Sequence, residues 1–353
     1  MPTPPALAAV PSPAEVAASA RRLRQDLARR IVGMDEVVDL VLLCVVSGSH
    51  GLLVGVPGLA KTLLVSSMAE LLELSFKRIQ FTPDLMPSDI VGTEILVPGD
   101  GGGRAFRFQA GPVFTNLLLA DEINRTPPKT QAALMEAMEE AQVTSAGRRH
   151  PLEPPFLVLA TQNPIEQEGT YPLPAAQLDR FLVMIRVDYP SKADERTMVR
   201  RTTSRARTPL PAVLKREEVV ALARAVRAAP VPDDVLRYAV DIARATRPRG
   251  GSPAPGIETA VAFGVGPRAA GAIVLAAKAR ALLEGRDRAV AADIRAVVRP
   301  VLRHRLVLSF RATAEGVGPD AVVDQAIAAV RAPDGWAPPV PAADAPWLAR
   351  MKA

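Results

Sequence analysis

The stretch that most constrains the fold runs from Gly51 to Thr62 and reads Gly-Leu-Leu-Val-Gly-Val-Pro-Gly-Leu-Ala-Lys-Thr. The apolar residues Leu52 to Val54 predict a strand that enters a glycine- and proline-containing turn. A helix-period segment follows from Leu63 to Leu72. A strand, a glycine turn and a helix start that carries Lys-Thr are the parts of a phosphate-binding loop. Lys61 is expected to reach the β- and γ-phosphates, and Thr62 to bind Mg²⁺.

One position departs from the usual form of this motif. Glycine commonly precedes the lysine, but here the residue is Ala60. Because the helix is predicted to begin at this point, we expect right-handed helical angles that alanine accepts. Gly55 and Gly58 are expected to turn backbone N–H groups toward the ligand. Taken alone, the motif also fits a plain turn between a core strand and a core helix.

Composition limits the classes of protein to be considered. The chain has 353 residues, enough for two or three domains, and its 48% hydrophobic and 23% charged content is typical of globular proteins. Lys and Arg total 43 against 37 Asp and Glu, giving a net charge of +6. Aromatic residues make up only 4%, which argues against a base-stacking surface and makes a nucleic-acid partner unlikely.

The cysteine, the histidines and the apolar runs give little functional signal. The single Cys44 excludes a disulfide within the chain, and His50, His150 and His304 lie far apart. The apolar run from Val37 to Val46 is interrupted by Asp39 and is about half of the ~20 residues that a membrane helix needs. With no basic leader at the N-terminus, we predict a soluble cytoplasmic protein without membrane insertion.

The order of predicted elements indicates two domains between two tails. Apolar strands alternate with helices up to residue 190, which predicts a parallel α/β sheet. The N-terminal tail is predicted to span residues 1–20, and the α/β core 21–190. At the N-terminus, residues 1 to about 12 are predicted to be disordered, and a helix is predicted from Ser12-Pro13 to Arg30. Proline and glycine mark 82–112 as an insert, and a hairpin is predicted at 143–152 around Ala146-Gly147. Helical periodicity predicts a separate domain at 191–331, followed by a proline-rich tail at 332–353 without a fold of its own.

Polar residues at predicted strand ends supply the other candidates for phosphate chemistry. Asp121 and Glu122 end an apolar strand, and adjacent strand residues point to opposite sides, so Asp121 is expected to orient Mg²⁺ while Glu122 polarises a water. The alternative is an acidic strand end before a turn. Asn163 ends the next strand, where it is expected either to orient that water or to cap a loop.

Two arginines that lie away from these strand ends are candidates for binding a phosphate group. Arg180 follows a short helix and is expected to act on the site of a neighbouring subunit, or else to pair with Asp179 or Glu168. Arg268 lies in the first turn of a predicted helix, where the helix dipole disfavours a cation, so a phosphate ligand is a reason for its presence. A solvated surface arginine is the alternative.

Five segments together resemble the MoxR family of AAA+ ATPases: Gly55-Val-Pro-Gly-Leu-Ala-Lys-Thr62, Leu118-Leu-Ala-Asp-Glu-Ile-Asn-Arg125, Ala160-Thr-Gln-Asn-Pro164, Gln177-Leu-Asp-Arg-Phe181 and Gly266-Pro-Arg268. The resemblance covers about residues 21 to 331 and accounts for Ala-Lys-Thr, which is common in this family. It implies a P-loop AAA+ core with a five-stranded parallel sheet, followed by an all-helical lid domain.

The resemblance also implies roles for individual residues, with ATP and Mg²⁺ as cofactors. Glu122, Asn163 and Arg180 would be catalytic, as the Walker B glutamate, the first sensor and a finger acting in trans. Thr62 and Asp121 would hold the metal. The nucleotide-binding residues would be Val32, Gly33, Gly55, Val56, Pro57, Gly58, Leu59, Ala60, Lys61, Thr62, Leu63 and the lid residue Arg268.

The activity implied by the resemblance is that of an ATP-hydrolysing chaperone. It would form a homo-oligomer, a hexameric ring, and would remodel or mature protein complexes, or load metal into them, acting on a protein client with a separate von Willebrand factor A-domain partner. A nucleic-acid-dependent motor is an alternative, since helicase relatives share the insert, but no zinc site or basic–aromatic stripe is present in the sequence. A slow nucleotide switch is a second alternative, against which Glu122 argues.

Overall fold

A computed structural model describes residues 9–98, 104–165, 169–203, 209–249, 254–338 and 347. The chain divides into two compact units. One comprises Met1–Ala9, Ser19–Phe181 and Ile185–Ala221, and the other Val10–Ala18, Leu182–Met184 and Leu222–Ala353. Because each unit is made of several chain segments, this division does not test a single domain boundary near residue 190, which stays a prediction.

Helix α1 (Pro13–Ala28) agrees with the helix expected from Ser12-Pro13, and it corrects the assignment of residues 13–20 to a tail. The predicted disorder before residue 9 lies outside the described residues. The elements that follow α1, up to the second unit, are α2 (Asp35–Ser47), β1 (His50–Val54), α3 (Lys61–Leu71), β2 (Phe76–Gln80), α4 (Pro87–Val91), β3 (Gly92–Pro98), β4 (Arg104–Ala110), β5 (Leu117–Asp121), α5 (Pro128–Glu140), β6 (Gln142–Ser145), β7 (Arg148–Pro151), β8 (Leu157–Gln162), α6 (Ala175–Leu178), β9 (Phe181–Arg186), α7 (Lys192–Thr202) and α8 (Arg216–Ala228).

The central sheet has five parallel strands in the order β2–β5–β8–β1–β9. Strands β5 and β8 are buried along almost their whole length, as their unbroken apolar sequences require of strands covered on both faces. The register pairs Gln80 with Asp121, and Val54 with Gln162. Because of this alignment, the carboxyl ends of β1, β5 and β8 lie along one edge, where the polar residues of the sequence motifs follow. The predicted α/β class is confirmed.

Two antiparallel hairpins interrupt the alternation of strands and helices. Strands β3 and β4 pair within the predicted insert, and β6 pairs with β7 at the predicted second hairpin. The turn of the latter holds Ala146 and Gly147 at φ values of 48° and 76°, the left-handed angles that a two-residue hairpin turn needs. The glycine-rich residues 99–103 lie outside the described residues.

The second unit is mainly helical. Its elements are α9 (Asp233–Ala245), α10 (Ile257–Ala260), β10 (Val261–Phe263), α11 (Pro267–Leu283), α12 (Ala291–Leu302), β11 (Val307–Leu308), α13 (Phe310–Ala314) and α14 (Pro319–Ala329). The ribbon of β10 and β11 was not predicted, because strands of three and two residues carry too little periodicity to be recognised.

Part of the proline-rich tail packs on this helical unit. Arg295 pairs with Asp334 at 2.7 Å, and its guanidinium lies 4.7 Å from the ring centre of Trp336. Residues 332–338 form no helix or strand and contact the unit through these two side chains, and the tail beyond them, Trp347 apart, lies outside the described residues. That the tail has no fold of its own stays a prediction. Within the described ranges, no helix has the length and apolar character that crossing a membrane requires.

Candidate functional site

A cleft of about 430 Å³ lies at the carboxyl edge of the central sheet. The segment after β1, the strand β2 and the ends of β5 and β8 all contribute to it. Its lining residues are Pro57, Gly58, Leu59, Ala60, Lys61, Thr62, Leu63, Arg78, Asp121, Glu122, Thr161 and Asn163. Residues that are up to about a hundred positions apart in the sequence thus line one small cleft.

The loop between β1 and α3 depends on two glycines for different reasons. A Cβ atom on Gly55 would lie 2.3 Å from the carbonyl oxygen of Val187, so no larger residue fits. Gly58 has open space around it but a φ of +82°, an angle that favours glycine. The loop leads directly into the N-terminus of α3, where unpaired backbone N–H groups and the helix dipole attract an anion.

Ala60 does not have the helical angles that we expected. It lies just before α3 with φ +54° and ψ +20°, in the left-handed region. An L-residue with a Cβ is disfavoured there by about 1–2 kcal/mol, which is the physical reason why glycine is usual at this position. The expectation was wrong because the helix begins one residue later, at Lys61.

Lys61 reaches back over the loop. Its Nζ donates hydrogen bonds to the carbonyl oxygens of Gly55 at 2.5 Å and Val56 at 3.1 Å. Burial lowers the pKa of Lys61, while the charges of Asp121 and Glu122 oppose that shift. A phosphate oxygen in the cleft would give this partly desolvated ammonium an anionic partner, which the two neutral carbonyls do not.

Asp121 is held by hydrogen bonds to both carboxylate oxygens. The Thr161 hydroxyl donates to Oδ1 at 2.6 Å, and the Arg78 guanidinium donates to Oδ2 at 2.6 and 3.0 Å. The side chain is 14% exposed, so it is fixed in place but open to the cleft. A single carboxylate near the Thr62 hydroxyl and a phosphate site is the donor set that Mg²⁺ commonly uses beside a nucleotide.

Glu122 lies in the cleft lining, but contrary to our expectation it is not part of strand β5. Strand β5 ends at Asp121, and Glu122 follows with a φ of +57°, so strand alternation does not separate the two side chains. Its amide nitrogen donates to the Thr161 hydroxyl at 2.8 Å. Its Oε2 accepts from Gln80 at 2.7 Å and from Arg125 at 3.2 Å.

Asn163 follows β8 and is 5% exposed. Its Oδ1 accepts a hydrogen bond from the Ile165 amide at 3.2 Å, an orientation that is assigned from this bond. Because Asn163 lines the cleft and its Oδ1 is engaged, Nδ2 is the group of this side chain that can donate to a ligand there. A carboxylate and a donor on either side of a phosphate site can together orient a water.

The structure does not bring every predicted site residue to this cleft. Arg180 donates to the Met135 carbonyl and pairs with Glu139 of α5 at 2.5 Å, a partner that the sequence did not indicate. Among the described residues, Val32 and Gly33 are not part of the cleft lining. Arg268 lies in the first turn of α11 in the other unit.

Three residues of the site were missed by reasoning from the sequence: Arg78, Gln80 and Thr161. Arg78 and Gln80 alternate on β2, the strand beside β5, with buried Ile79 between them. Two polar residues two positions apart share one face of a strand, and this pattern could have indicated that Arg78 and Gln80 belong to the site. Using it also requires knowing that β2 lies beside β5, and the sequence does not show that strand order. Thr161 lies within the segment 160–164, where nothing in the sequence indicates a role for its hydroxyl.

Family models match both parts of the chain. Residues 50–183 match a model described as "ATPase family associated with various cellular activities (AAA)", and residues 254–326 match one described as "AAA lid domain". A crystal structure of a protein assigned as an ATPase from Cytophaga hutchinsonii superposes with a TM-score of 0.82 at 36% identity. It covers 90% of this chain and 97% of that one.

Relatives by sequence include chaperone MoxR1 of Mycobacterium tuberculosis, 44% identical over 87% of this chain and 81% of that protein. Protein YeaC of Bacillus subtilis is 41% identical over 86% of this chain and 92% of its own length. Protein MoxR of Methylorubrum extorquens is 33% identical over 82% and 88%. Since this similarity extends over nearly the full length of the relatives and includes both matched domains, the chain belongs to the MoxR family of AAA+ ATPases.

Proposed function

We propose that the protein is a Mg²⁺-dependent ATPase that hydrolyses ATP to ADP and phosphate and uses the energy to remodel or mature protein complexes. The observation that carries the proposal is that Lys61, Thr62, Asp121, Glu122 and Asn163 line one cleft. These are an ammonium, a hydroxyl, two carboxylates and an amide, the groups that phosphoryl transfer to water requires.

Each residue has a role that follows from its position. The N–H groups of the loop from Gly55 to Thr62 and the Lys61 ammonium bind the phosphates. Thr62 and Asp121 would hold Mg²⁺, which when bound neutralises charge on the phosphate oxygens. Glu122 polarises the attacking water, and Asn163 orients it through Nδ2.

Other contacts come from outside the cleft. Val32 and Gly33 would contact the adenine, and Arg268 would contact phosphate from the lid. Arg180 would complete the site of a neighbouring subunit, which makes a homo-oligomeric ring, a hexamer, the active form. For that contact Arg180 must exchange Glu139 for a phosphate, an anionic partner in either case.

The chaperone role is supported by the relative named chaperone MoxR1. The cytoplasmic location, the protein client and a separate von Willebrand factor A-domain partner are proposed from the family resemblance. Metal or cofactor loading into the client complex is one form that the maturation would take.

Steady-state ATPase assays of purified variants test the catalytic roles. Glu122→Gln is expected to lose about 100-fold or more in rate while still binding ATP, because only the group that polarises water is removed. Arg180→Ala is expected to lose about 10³-fold. Glu139→Ala is the matched control, since it breaks the same ion pair and leaves the arginine available. Equal losses of ATPase rate in Arg180→Ala and Glu139→Ala would count against a direct role of Arg180 at the site of a neighbouring subunit.

Mixing two inactive variants tests whether Arg180 acts in trans. In a mixed ring, an Arg180→Ala subunit supplies an intact Glu122 and its Glu122→Gln neighbour supplies an intact Arg180. Activity should therefore reappear on mixing. If the mixture stays as inactive as its components although both assemble, the trans role is wrong.

The Glu122→Gln variant also serves to identify the client. Held with ATP, it should retain the client and any von Willebrand factor A-domain partner through purification, whereas with ADP it should release them. Mass spectrometry of the two preparations measures the difference, and identical sets of bound proteins would argue against the remodelling role.

A further inference from the structure

Arg78 is a cationic side chain of the cleft to which the sequence motifs assign no role. It lies on β2, and its guanidinium donates twice to Oδ2 of Asp121, at 2.6 and 3.0 Å. Thr161 already donates to the other oxygen, Oδ1, at 2.6 Å. Both carboxylate oxygens of Asp121 therefore have donors in this structure.

These two donors differ in how easily they can leave. Thr161 is 1% exposed and fixed within β8, so its hydroxyl stays beside Oδ1. The Arg78 side chain is 46% exposed and has several rotatable bonds, so it can withdraw from Oδ2 without disturbing the sheet. Oδ2 is thus the oxygen of Asp121 that can be released to another cation.

A divalent cation cannot share Oδ2 with the guanidinium at low cost. The lone pairs that would face Mg²⁺ or its bound water are occupied by N–H groups, and two cations a few ångströms apart repel each other. The nucleotide phosphates supply the anionic partner that the displaced guanidinium needs, in a geometry that arginine binds well.

We propose that Arg78 is a positioning residue that occupies Oδ2 of Asp121 until Mg²⁺ displaces it, and so raises the Mg²⁺ concentration at which the site binds Mg²⁺-nucleotide. The proposal rests on the function proposed above. It assigns to Arg78 a competition with the metal, distinct from a simple contribution of positive charge to phosphate binding.

The same displacement reaches Glu122 through one intermediate residue. An Arg78 N–H donates to Oε1 of Gln80 at 2.6 Å, and Nε2 of Gln80 donates to Oε2 of Glu122 at 2.7 Å. When the guanidinium leaves, Gln80 loses one of the two hydrogen bonds that hold its amide, and keeps the one to Glu122. Metal binding at Asp121 is thereby linked to the hold on the carboxylate that polarises water.

The test is a magnesium titration of full-length protein with a fluorescent ADP analogue, which reports binding without hydrolysis. The half-maximal free Mg²⁺ concentration is expected to fall about fivefold in Arg78→Gln, as removal of a half-exposed ion pair implies. Arg78→Lys keeps the charge but loses the double contact, so its half-maximal Mg²⁺ concentration should lie between those of the wild type and Arg78→Gln. Because ADP itself chelates Mg²⁺ equally in every titration, differences between variants report the protein.

Lys77→Gln is the matched control. It removes one positive charge from the adjacent position of the same strand, where the side chain is exposed and outside the cleft lining. Its half-maximal Mg²⁺ concentration should equal that of the wild type. Thermal unfolding of each variant without nucleotide confirms that it is folded.

Three results would overturn the inference. An unchanged or raised half-maximal Mg²⁺ concentration in Arg78→Gln would show that Arg78 does not compete with the metal. A uniform loss of nucleotide affinity at all Mg²⁺ concentrations would make Arg78 a phosphate-binding residue only. In both cases the proposed ATPase function stands, whereas failure of the wild type to bind nucleotide at any Mg²⁺ concentration would reject that function as well.

Discussion

The Thr161 hydroxyl lies 2.6 Å from Oδ1 of Asp121 and donates its proton to it. The Thr161 hydroxyl oxygen in turn accepts a hydrogen bond from the backbone N–H of Glu122 at 2.8 Å. One hydroxyl on β8 therefore fixes the carboxylate proposed to hold the metal and the backbone of the residue proposed to polarise water.

Replacing Thr161 by valine is expected to lower the ATPase rate on the order of 10- to 100-fold, since displacements of about 1 Å in reacting groups have effects of that size. The variant keeps the shape of the side chain but leaves a buried N–H and a carboxylate oxygen without their partner, which should also cost about 1–3 kcal/mol of stability. Steady-state hydrolysis and denaturant unfolding measure the two effects.

Thr161→Ser is the control for this prediction, because it retains the hydroxyl and removes only a methyl group. It should keep most of the wild-type rate. A valine variant as active as the serine variant would show that the hydroxyl does not position the two acidic residues.

Ala60 makes a prediction about the strain of the loop. Its φ of +54° disfavours any side chain, so Ala60→Gly should relieve about 1–2 kcal/mol of steric cost, less about 0.5–1 kcal/mol for the greater freedom of glycine in the unfolded chain. We expect a net gain of about 0.5 kcal/mol in the free energy of unfolding with ATP affinity retained. Ala60→Val should lose stability and nucleotide affinity together, because a β-branched residue is especially unfavourable at this angle. Equal affinities for all three proteins would contradict this interpretation.

The parts of the site that sequence could predict are those carried by local pattern. The phosphate-binding loop was recognisable because its glycines, lysine and strand–helix context lie within one segment. Asp121 and Glu122 were recognisable because they end an apolar strand. The angles of Ala60 and Glu122 were not, since they depend on where α3 begins and β5 ends to within one residue, and such boundaries are the least certain feature of a sequence.

Contacts that depend on strand order were beyond the sequence. Arg78 meets Asp121 because β2 pairs with β5, although β3 and β4 lie between them in the chain. The partner of Arg180 likewise depends on how α5 packs, which placed Glu139 rather than a sequence neighbour beside it. Helical periodicity predicted mainly helices after the sheet, and the second unit is mainly helical, but its short ribbon and the packing of Trp336 depend on tertiary contacts.

Asp293 allows a prediction about the stability of the helical unit. Its fully buried carboxylate accepts from Arg280 at 2.5 Å and from Arg286 at 2.6 Å, and also accepts the Val290 amide of the α12 N-terminus. Burial alone raises the pKa of Asp293, but the bonds from Arg286, Val290 and Arg280 outweigh it and leave the pKa below its ordinary value. The carboxylate therefore stabilises the fold above its unfolded-state pKa near 4, and this contribution is lost as the pH falls through the lower folded pKa.

Asp293→Asn is expected to lower the free energy of unfolding by about 2 kcal/mol at pH 7, a value reduced from that of fully buried pairs because both arginines are partly exposed. Asp324→Asn is the control, since its pair with Arg299 is exposed on both sides and should contribute less than about 0.5 kcal/mol. Urea unfolding followed by circular dichroism compares them. Similar losses in the two variants would show that burial of Asp293 has no special effect.

His50 allows a prediction of pH dependence in the α/β unit. Its Nε2 donates to the Met138 carbonyl at 3.2 Å, and its Nδ1 accepts the Val158 amide at 3.0 Å, so the ring fits its pocket in the neutral form. Burial lowers the pKa of His50 to about 4, with the Met138 carbonyl opposing the shift. The unfolded chain takes up a proton near pH 6.5 and the folded chain does not, so stability is complete above that pH and is lost as the pH falls toward 4.

We expect the free energy of unfolding to fall by about 2 kcal/mol between pH 7 and pH 4.5, somewhat below the full linkage value because the residue is only half-buried. Urea titrations at several pH values measure the fall. His50→Gln removes the titrating ring and should flatten this part of the profile, whereas His150→Gln leaves His50 in place and should retain it. If the His50→Gln profile keeps the wild-type slope between pH 7 and pH 4.5, other groups cause the loss and the neutral state of His50 contributes nothing to it.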